Sequence, residues 1–201
     1  MKKGILIVLS GPSGAGKGTI LAEAKKQGLE FALSISVTTR SPRGTEVDGI
    51  NYFFKTHKQV EEMIKNEELL ESKKVYDQIY GTSKKFVEDN LNKGIDVVLE
   101  IDTQGALEVK SKMPEAVLIF IVPKDLDTLH SRLVGRGTEN EEQVAKRFGK
   151  AQGEIAQAID YDYLLINDKI EQCAAQFINI IEAERLRTSR EINKQIIASF
   201  N

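Results

Sequence analysis

The chain opens on an apolar run, Ile5-Leu6-Ile7-Val8-Leu9, too short for a packed helix and β-branched enough for a buried strand. A glycine-rich segment follows, and then a helical pattern beginning at Ile20-Leu21. The spacing predicts a helix over residues 17–27, closed by Gly28. A short β-like segment is expected over residues 31–37. From there to Gly81 lie Pro42, several glycines, aromatic pairs and one helical pattern over 57–66, with Val60, Met63 and Ile64 on its apolar side. This region reads as an insert packed beside the main sheet and built partly of hairpins.

Strand–helix alternation resumes after Gly81. A helix over 84–92 ends at Gly94, residues 96–102 read as a buried strand, and 116–122 as another. Next comes a helix with Leu126, Leu129 and Leu133 on one face, then a polar, glycine-flanked stretch, Gly135-Arg-Gly137-Thr-Glu-Asn. Val144, Phe148, Ile155 and Ile159 mark a further helix face, and 163–166 a last strand. From Ile170 the pattern fits one long amphipathic helix or two shorter ones, using Phe177, Ile178 and Ile181, then Ile192 and Ile196. Strands alternating with helices imply an α/β fold with a parallel sheet and right-handed crossovers. There is no internal repeat, and 201 residues suit one such domain with modest inserts.

Composition narrows the function classes. The 28 basic and 30 acidic side chains nearly cancel, so a net charge of −2 gives no general drive toward nucleic acid. No apolar run approaches the roughly 20 residues that cross a bilayer. Met1-Lys2-Lys3-Gly4 runs straight into the first strand, so no removable signal peptide is expected and the pattern points to a soluble cytoplasmic protein. The single Cys173 excludes an intrachain disulfide and a cysteine-rich metal site; beside Ala174 in a helical pattern it reads as a packing residue. His57 and His130 are too far apart in sequence to suggest a histidine metal cluster.

The sharpest chemistry lies in Gly11-Pro12-Ser13-Gly14-Ala15-Gly16-Lys17-Gly18-Thr19, between the first strand and the first helix. Glycines at 11, 14 and 16 let successive backbone N–H groups face one phosphate. The helix adds its positive N-terminal end and Lys17 a full charge. This loop is expected to bind a nucleotide. It departs from the strict pattern at Gly18, where a Ser or Thr hydroxyl usually meets Mg²⁺; Thr19 stands one place later. Mg²⁺ would then be held chiefly by phosphates and water.

Two further sets of residues suggest phosphoryl transfer. On a strand running to residue 102, Glu100 and Asp102 would point the same way, beyond the carboxyl end of the sheet. There they would meet Mg²⁺-bound water, an arginine or donors on a base. Arg40 and Arg43 flank Ser41-Pro42, Arg132 and Arg136 are a helical turn apart, and Arg147 follows. Guanidinium groups stay charged and bind two oxygens at once, which suits a phosphoryl group whose charge is spread over its oxygens.

Together with the phosphate loop, Ser36-Val-Thr-Thr-Arg-Ser-Pro-Arg43, Gly49-Ile-Asn-Tyr-Phe-Phe54, Tyr80-Gly-Thr82, Glu100-Ile-Asp-Thr-Gln-Gly105, Gly135-Arg-Gly-Thr138 and Ile166-Asn-Asp168 closely resemble guanylate kinase, in order, from about residue 4 to 190. The resemblance implies a core (1–33, 84–134 and 146–201), a GMP-binding insert (34–83) and a lid (135–145), and γ-phosphoryl transfer from Mg·ATP to GMP. It implies a phosphate clamp of Arg40, Arg43, Tyr52 and Tyr80, with Ser36, Glu71, Thr82 and Asp102 reading guanine and Glu100 nearby. Residues 11–19, Arg132, Arg136 and Asn167 would bind ATP, and Lys17, Arg43, Arg136 and Arg147 would serve the transfer. Glu100 and Arg147 would also bind GMP. GMP, with dGMP as a second acceptor, is the expected partner, and a homodimer stays open. Two departures concern the carboxylate at Glu100, where Asp is frequent, and Val75-Tyr-Asp-Gln-Ile79 just before Tyr80. A non-catalytic binding module of the same fold would be expected to lose Lys17 and some of the GMP ligands. A kinase for another monophosphate would not be expected to place a carboxylate at Glu71.

Overall fold

The computed structural model describes residues 3–134 and 141–200, and for 141–144 the backbone alone. The first apolar run forms β1 (Leu6–Ser10), buried along its whole length. It lies at the centre of a five-stranded parallel sheet flanked by β7 (Val97–Glu100) and β8 (Val117–Pro123), with β2 (Ala32–Leu33) and β9 (Tyr163–Asn167) outermost. The register places Leu6 beside Val97 and Val8 beside Leu99 on one flank, and Ile7 beside Val117 on the other.

A strand covered on both faces reads as a continuous apolar run whose residues still alternate between faces. Ile5, Ile7 and Leu9 pack with Ile20 of α1 (Lys17–Lys26) and with Phe177 and Ile181 of α7 (Ile170–Arg185). Leu6 and Val8 pack on the other face with Val87 and Leu91 of α3 (Lys84–Asn92) and with Ala106 and Val109 of α4 (Thr103–Lys112). The helix after β8, α5 (Leu126–Val134), buries Leu129 and Leu133 against Ala151 and Phe148 of α6 (Glu141–Ala156), while Leu126 is exposed.

All strands of a second, four-stranded sheet lie between residues 36 and 83. Its order is β4 (Phe53–Phe54), β3 (Ser36–Thr38), β6 (Gln78–Ser83), β5 (Leu69–Val75), with α2 (His57–Lys65) against it. β5 and β6 form the expected hairpin, its register broken by a bulge between Leu69 and Ser72. Helix α2 starts in a reciprocal capping box in which Thr56 and Gln59 satisfy each other's backbone N–H groups.

Several expectations are corrected. Residues 31–37 do not form one segment: Ser34 donates to Val98 in the large sheet, whereas Ser36 pairs with Thr82 in the small one, so the chain changes sheets between them. The strand expected to reach residue 102 stops at Glu100, and α4, which the apolar pattern did not reveal, begins immediately after Asp102. Ile159 is 88% exposed in a 3₁₀ turn (Gln157–Asp160), so the apolar face of α6 ends at Ile155. The C-terminal pattern resolves into two helices. α7 buries Phe177 and Ile181, whereas α8 (Glu191–Ala198) buries none of its residues. Cys173 is a buried packing residue whose thiol pKa is pushed up to about 11 by burial. Among the described residues no helix is long and apolar enough to cross a membrane.

Candidate active site

The loop between β1 and α1 wraps because three of its residues adopt backbone angles that side chains resist. Gly11, Gly14 and Gly16 have φ of 152°, 88° and 90°. Space is equally restrictive: a Cβ on Gly11 would run into the Ile121 carbonyl, and one on Gly16 into Asn167 Nδ2. The loop is braced from behind. Asn167, 2% exposed at the end of β9, donates Nδ2 to Ala15 O at 2.7 Å. Arg132 at the end of α5 donates to Gly14 O and to Asn167 O. Lys17 curls over the loop and donates to Gly11 O at 2.7 Å.

The loop opens on a cavity of about 690 Å³, whose lining includes Ser13, Lys17, Gly18 and Thr19 with Glu100, Asp102 and Arg147. Lys150 and Glu154, unforeseen in the sequence, join them from α6. Glu100 and Asp102 thus share a cavity, but not through strand alternation. Asp102 is the N-cap of α4, accepting from Gly105 N at 3.0 Å, while its second oxygen pairs with Lys73 of β5. Burial alone would raise the Asp102 pKa; the Gly105 N–H and the Lys73 ammonium outweigh it and hold the carboxyl below its ordinary value. Arg136 lies outside the described residues, as do Gly135 and Gly137.

The predicted residues between 36 and 82 lie on the second sheet (Ser36, Glu71, Tyr80, Thr82) or in the loop between β3 and β4 (Arg40, Arg43, Tyr52), and none of them lines that cavity. Arg40 stacks 5.3 Å over the ring of Tyr52, whose ring centroid lies 6.1 Å from that of Tyr80. Glu46, missed in the sequence, grips Arg40 with two bonds of 2.9 Å and accepts the Arg43 N–H at 2.7 Å. That bidentate grip drives the Glu46 pKa down and the Arg40 pKa up. The Arg43 side chain itself is exposed.

Glu71 is the buried acid of the second sheet, 6% exposed, accepting from Thr82 Oγ1 at 2.7 Å. Burial raises its pKa, the Thr82 bond opposes the rise, and the Asp102 charge adds to it. Ser36 pairs with Thr82 across the sheet. Gly105 passes so close that a Cβ there would meet Glu71 Oε2 at 3.1 Å. The sequence thus names Asp102 and Arg40, whereas Lys73 and Glu46, both ordinary surface charges in the linear pattern, emerge only as their respective partners.

A glycine loop on the central strand of a parallel sheet, with its lysine and a helix N-terminus facing a polar cavity, defines a P-loop α/β nucleotide-binding scaffold. The guanylate kinase family model matches residues 3–184. Guanylate kinases of Caldanaerobacter subterraneus and Clostridioides difficile are 51% and 48% identical over 189 and 193 residues, covering 94% and 96% of this chain and 92% and 94% of theirs. The crystal structure of guanylate kinase from Anaplasma phagocytophilum superposes with a TM-score of 0.75 at 30% identity, covering 100% of this chain and 97% of that one. The chain belongs to the guanylate kinase family, nucleoside monophosphate kinases whose known reaction is phosphorylation of GMP by ATP.

Proposed function

We propose that this chain transfers the γ-phosphoryl group of ATP to GMP, giving ADP and GDP, between the phosphate loop and the second sheet. The observation that carries the reading is the buried Glu71 carboxylate beside Thr82 and Asp102. Guanine offers N1–H and an N2 amino group to such an acceptor, whereas adenine offers neither and would leave the carboxylate unpaired. A site of this kind can reject the wrong base by ~10⁴.

In this reading residues 34–83 bind GMP, with Arg40, Arg43, Tyr52 and Tyr80 holding its phosphate and Ser36, Glu71, Thr82 and Asp102 its base. Residues 11–19, Arg132 and Asn167 hold ATP. Residues 135–145 act as a lid whose closure excludes water that would otherwise accept the phosphoryl group. Lys17, Arg43, Arg136 and Arg147 hold and neutralise the group in flight. Glu46 acts through Arg40, keeping its guanidinium aligned over Tyr52.

Among the described residues no cluster of three or more His, Cys, Asp or Glu could hold a metal. Mg²⁺ would be held by the phosphates and water, with Glu100 or Asp102, which both line the loop cavity, contacting the water; Asp102 is already engaged by Lys73 and Gly105. The ion supplies charge that offsets the phosphate oxygens. Deoxy-GMP is a second acceptor, since none of the assigned contacts calls on the 2′ hydroxyl. A cytoplasmic enzyme, as monomer or homodimer, is compatible with this reading.

The test is a coupled assay of ADP release with Mg·ATP and GMP, dGMP, AMP, CMP or UMP. Fast turnover with GMP, slower with dGMP and none with AMP is expected. Lys17→Ala should abolish most of it while the protein stays folded. Folded protein inactive with every acceptor would overturn the assignment in favour of a binding module.

A further inference from the structure

One face of α4 carries Asp102 at its N-cap, then Gly105, Glu108 and Lys112, and each of the four meets β5. Asp102 pairs with Lys73, and Gly105 leaves just enough room for the Glu71 carboxylate. Glu108 Oε2 accepts the Ser72 N–H at 3.4 Å, and Lys112 donates to Leu69 O at 3.2 Å. Glu108 and Lys112 also pair with each other at 2.8 Å. The spacing of three, three and four residues is that of a single helical face.

The contacts fall around one irregularity. The β5–β6 register breaks between Leu69 and Ser72, and Glu71 lies inside that break. A bulge re-aims a side chain, and a one-residue slip in a strand turns every following side chain to the opposite face. The two backbone groups bordering the bulge, the Leu69 carbonyl and the Ser72 N–H, are the ones that α4 takes.

We propose that Glu108 and Lys112 are positioning residues for acceptor selection: by tying the backbone on both sides of the bulge they aim the Glu71 carboxylate at the guanine amino group. This rests on Glu71 as the guanine reader. Glu108 and Lys112 act through it and touch no substrate. Their side chains are 40% and 46% exposed and border an outer cavity of about 570 Å³, so truncating them opens no hole in the core. A merely structural surface pair of this kind would change little when removed.

The experiment compares GMP with inosine monophosphate, which keeps N1–H but lacks the N2 amino group. Steady-state kinetics would be measured on wild type, Glu108→Ala, Lys112→Met, Glu108→Gln and Glu71→Gln, with melting temperatures alongside. The Ala and Met variants should raise the KM for GMP and lower the GMP-over-inosine preference, each by about tenfold, with the KM for ATP within about twofold. Glu108→Gln retains an acceptor for the Ser72 N–H and should restore most of the preference. Should Glu71→Gln leave the preference intact, the guanine-reader assignment itself fails. If Glu71→Gln collapses it while Glu108→Ala and Lys112→Met do not, the positioning role alone is wrong. A uniform loss of kcat with both substrates, tracking the melting temperature, would likewise reduce the pair to structural support.

Discussion

Replacing Gly16 by alanine tests the phosphate loop by two separable effects. Gly16 is the N-cap of α1 at φ 90°, where a Cβ adds about 1–2 kcal/mol of left-handed strain. The new methyl would also occupy the place of Asn167 Nδ2, displacing an amide that bonds Ala15 O and costing about 1 kcal/mol more. Together these come to about 2–3 kcal/mol, which for a chain of this size lowers Tm by about 5–10 °C. Calorimetry on Gly16→Ala, Asn167→Ala and the double variant separates the terms. With the amide already gone, adding the methyl should bring only the strain, so the cycle should show coupling of about 1 kcal/mol. The KM for ATP should rise in every variant, because the loop amides lose their setting. Strictly additive losses, or a Gly16→Ala protein melting within about a degree of wild type, would refute the steric reasoning.

Two further outcomes follow from buried charge. Glu71 has a raised pKa, so its contribution to stability is fully present below the ordinary carboxylate range and is lost as pH rises through the raised value. If Glu71 reads guanine as proposed, GMP binding runs the other way: it needs the carboxylate, so the KM for GMP should begin to climb at a higher pH on acidification than an ordinary Glu would give. Glu71→Gln should flatten that profile, and an unchanged profile in the variant would assign the titration elsewhere. Asp96, whose side chain is 2% exposed, accepts the Ile5 N–H and the Arg185 guanidinium. Arg185→Ala strands that carboxylate and should reduce unfolding free energy by about 3 kcal/mol in urea titration; a loss under about 1 kcal/mol would mean solvent reaches the site.

Much of the fold was legible because it is written in local chemistry. The unbroken apolar run of β1 predicts a strand covered on both faces, and the glycine spacing after it predicts a loop that only unhindered backbone can follow. Helix ends at Gly28 and Gly94 fall where φ is positive. Helix α4 escaped notice because Thr103 and Gly105 are weak helix formers; its start depends on the Asp102 cap and its persistence on Ala106 and Val109 packing beneath the sheet.

The sequence by itself determined the alternation of strands and helices, the phosphate loop, and which residue types were available for a monophosphate and a base. Each of these depends on neighbours within a few positions. The tertiary structure decided the partners: Glu46 on Arg40, Lys73 on Asp102, Asn167 against Ala15, and α4 against the bulge that contains Glu71. Apart from the nearby Glu46, those groups are separated by 29 to 152 positions. A surface lysine and a site lysine look alike in a linear pattern, and only the packing of one sheet on another's helix brings a particular ammonium beside a particular carboxylate.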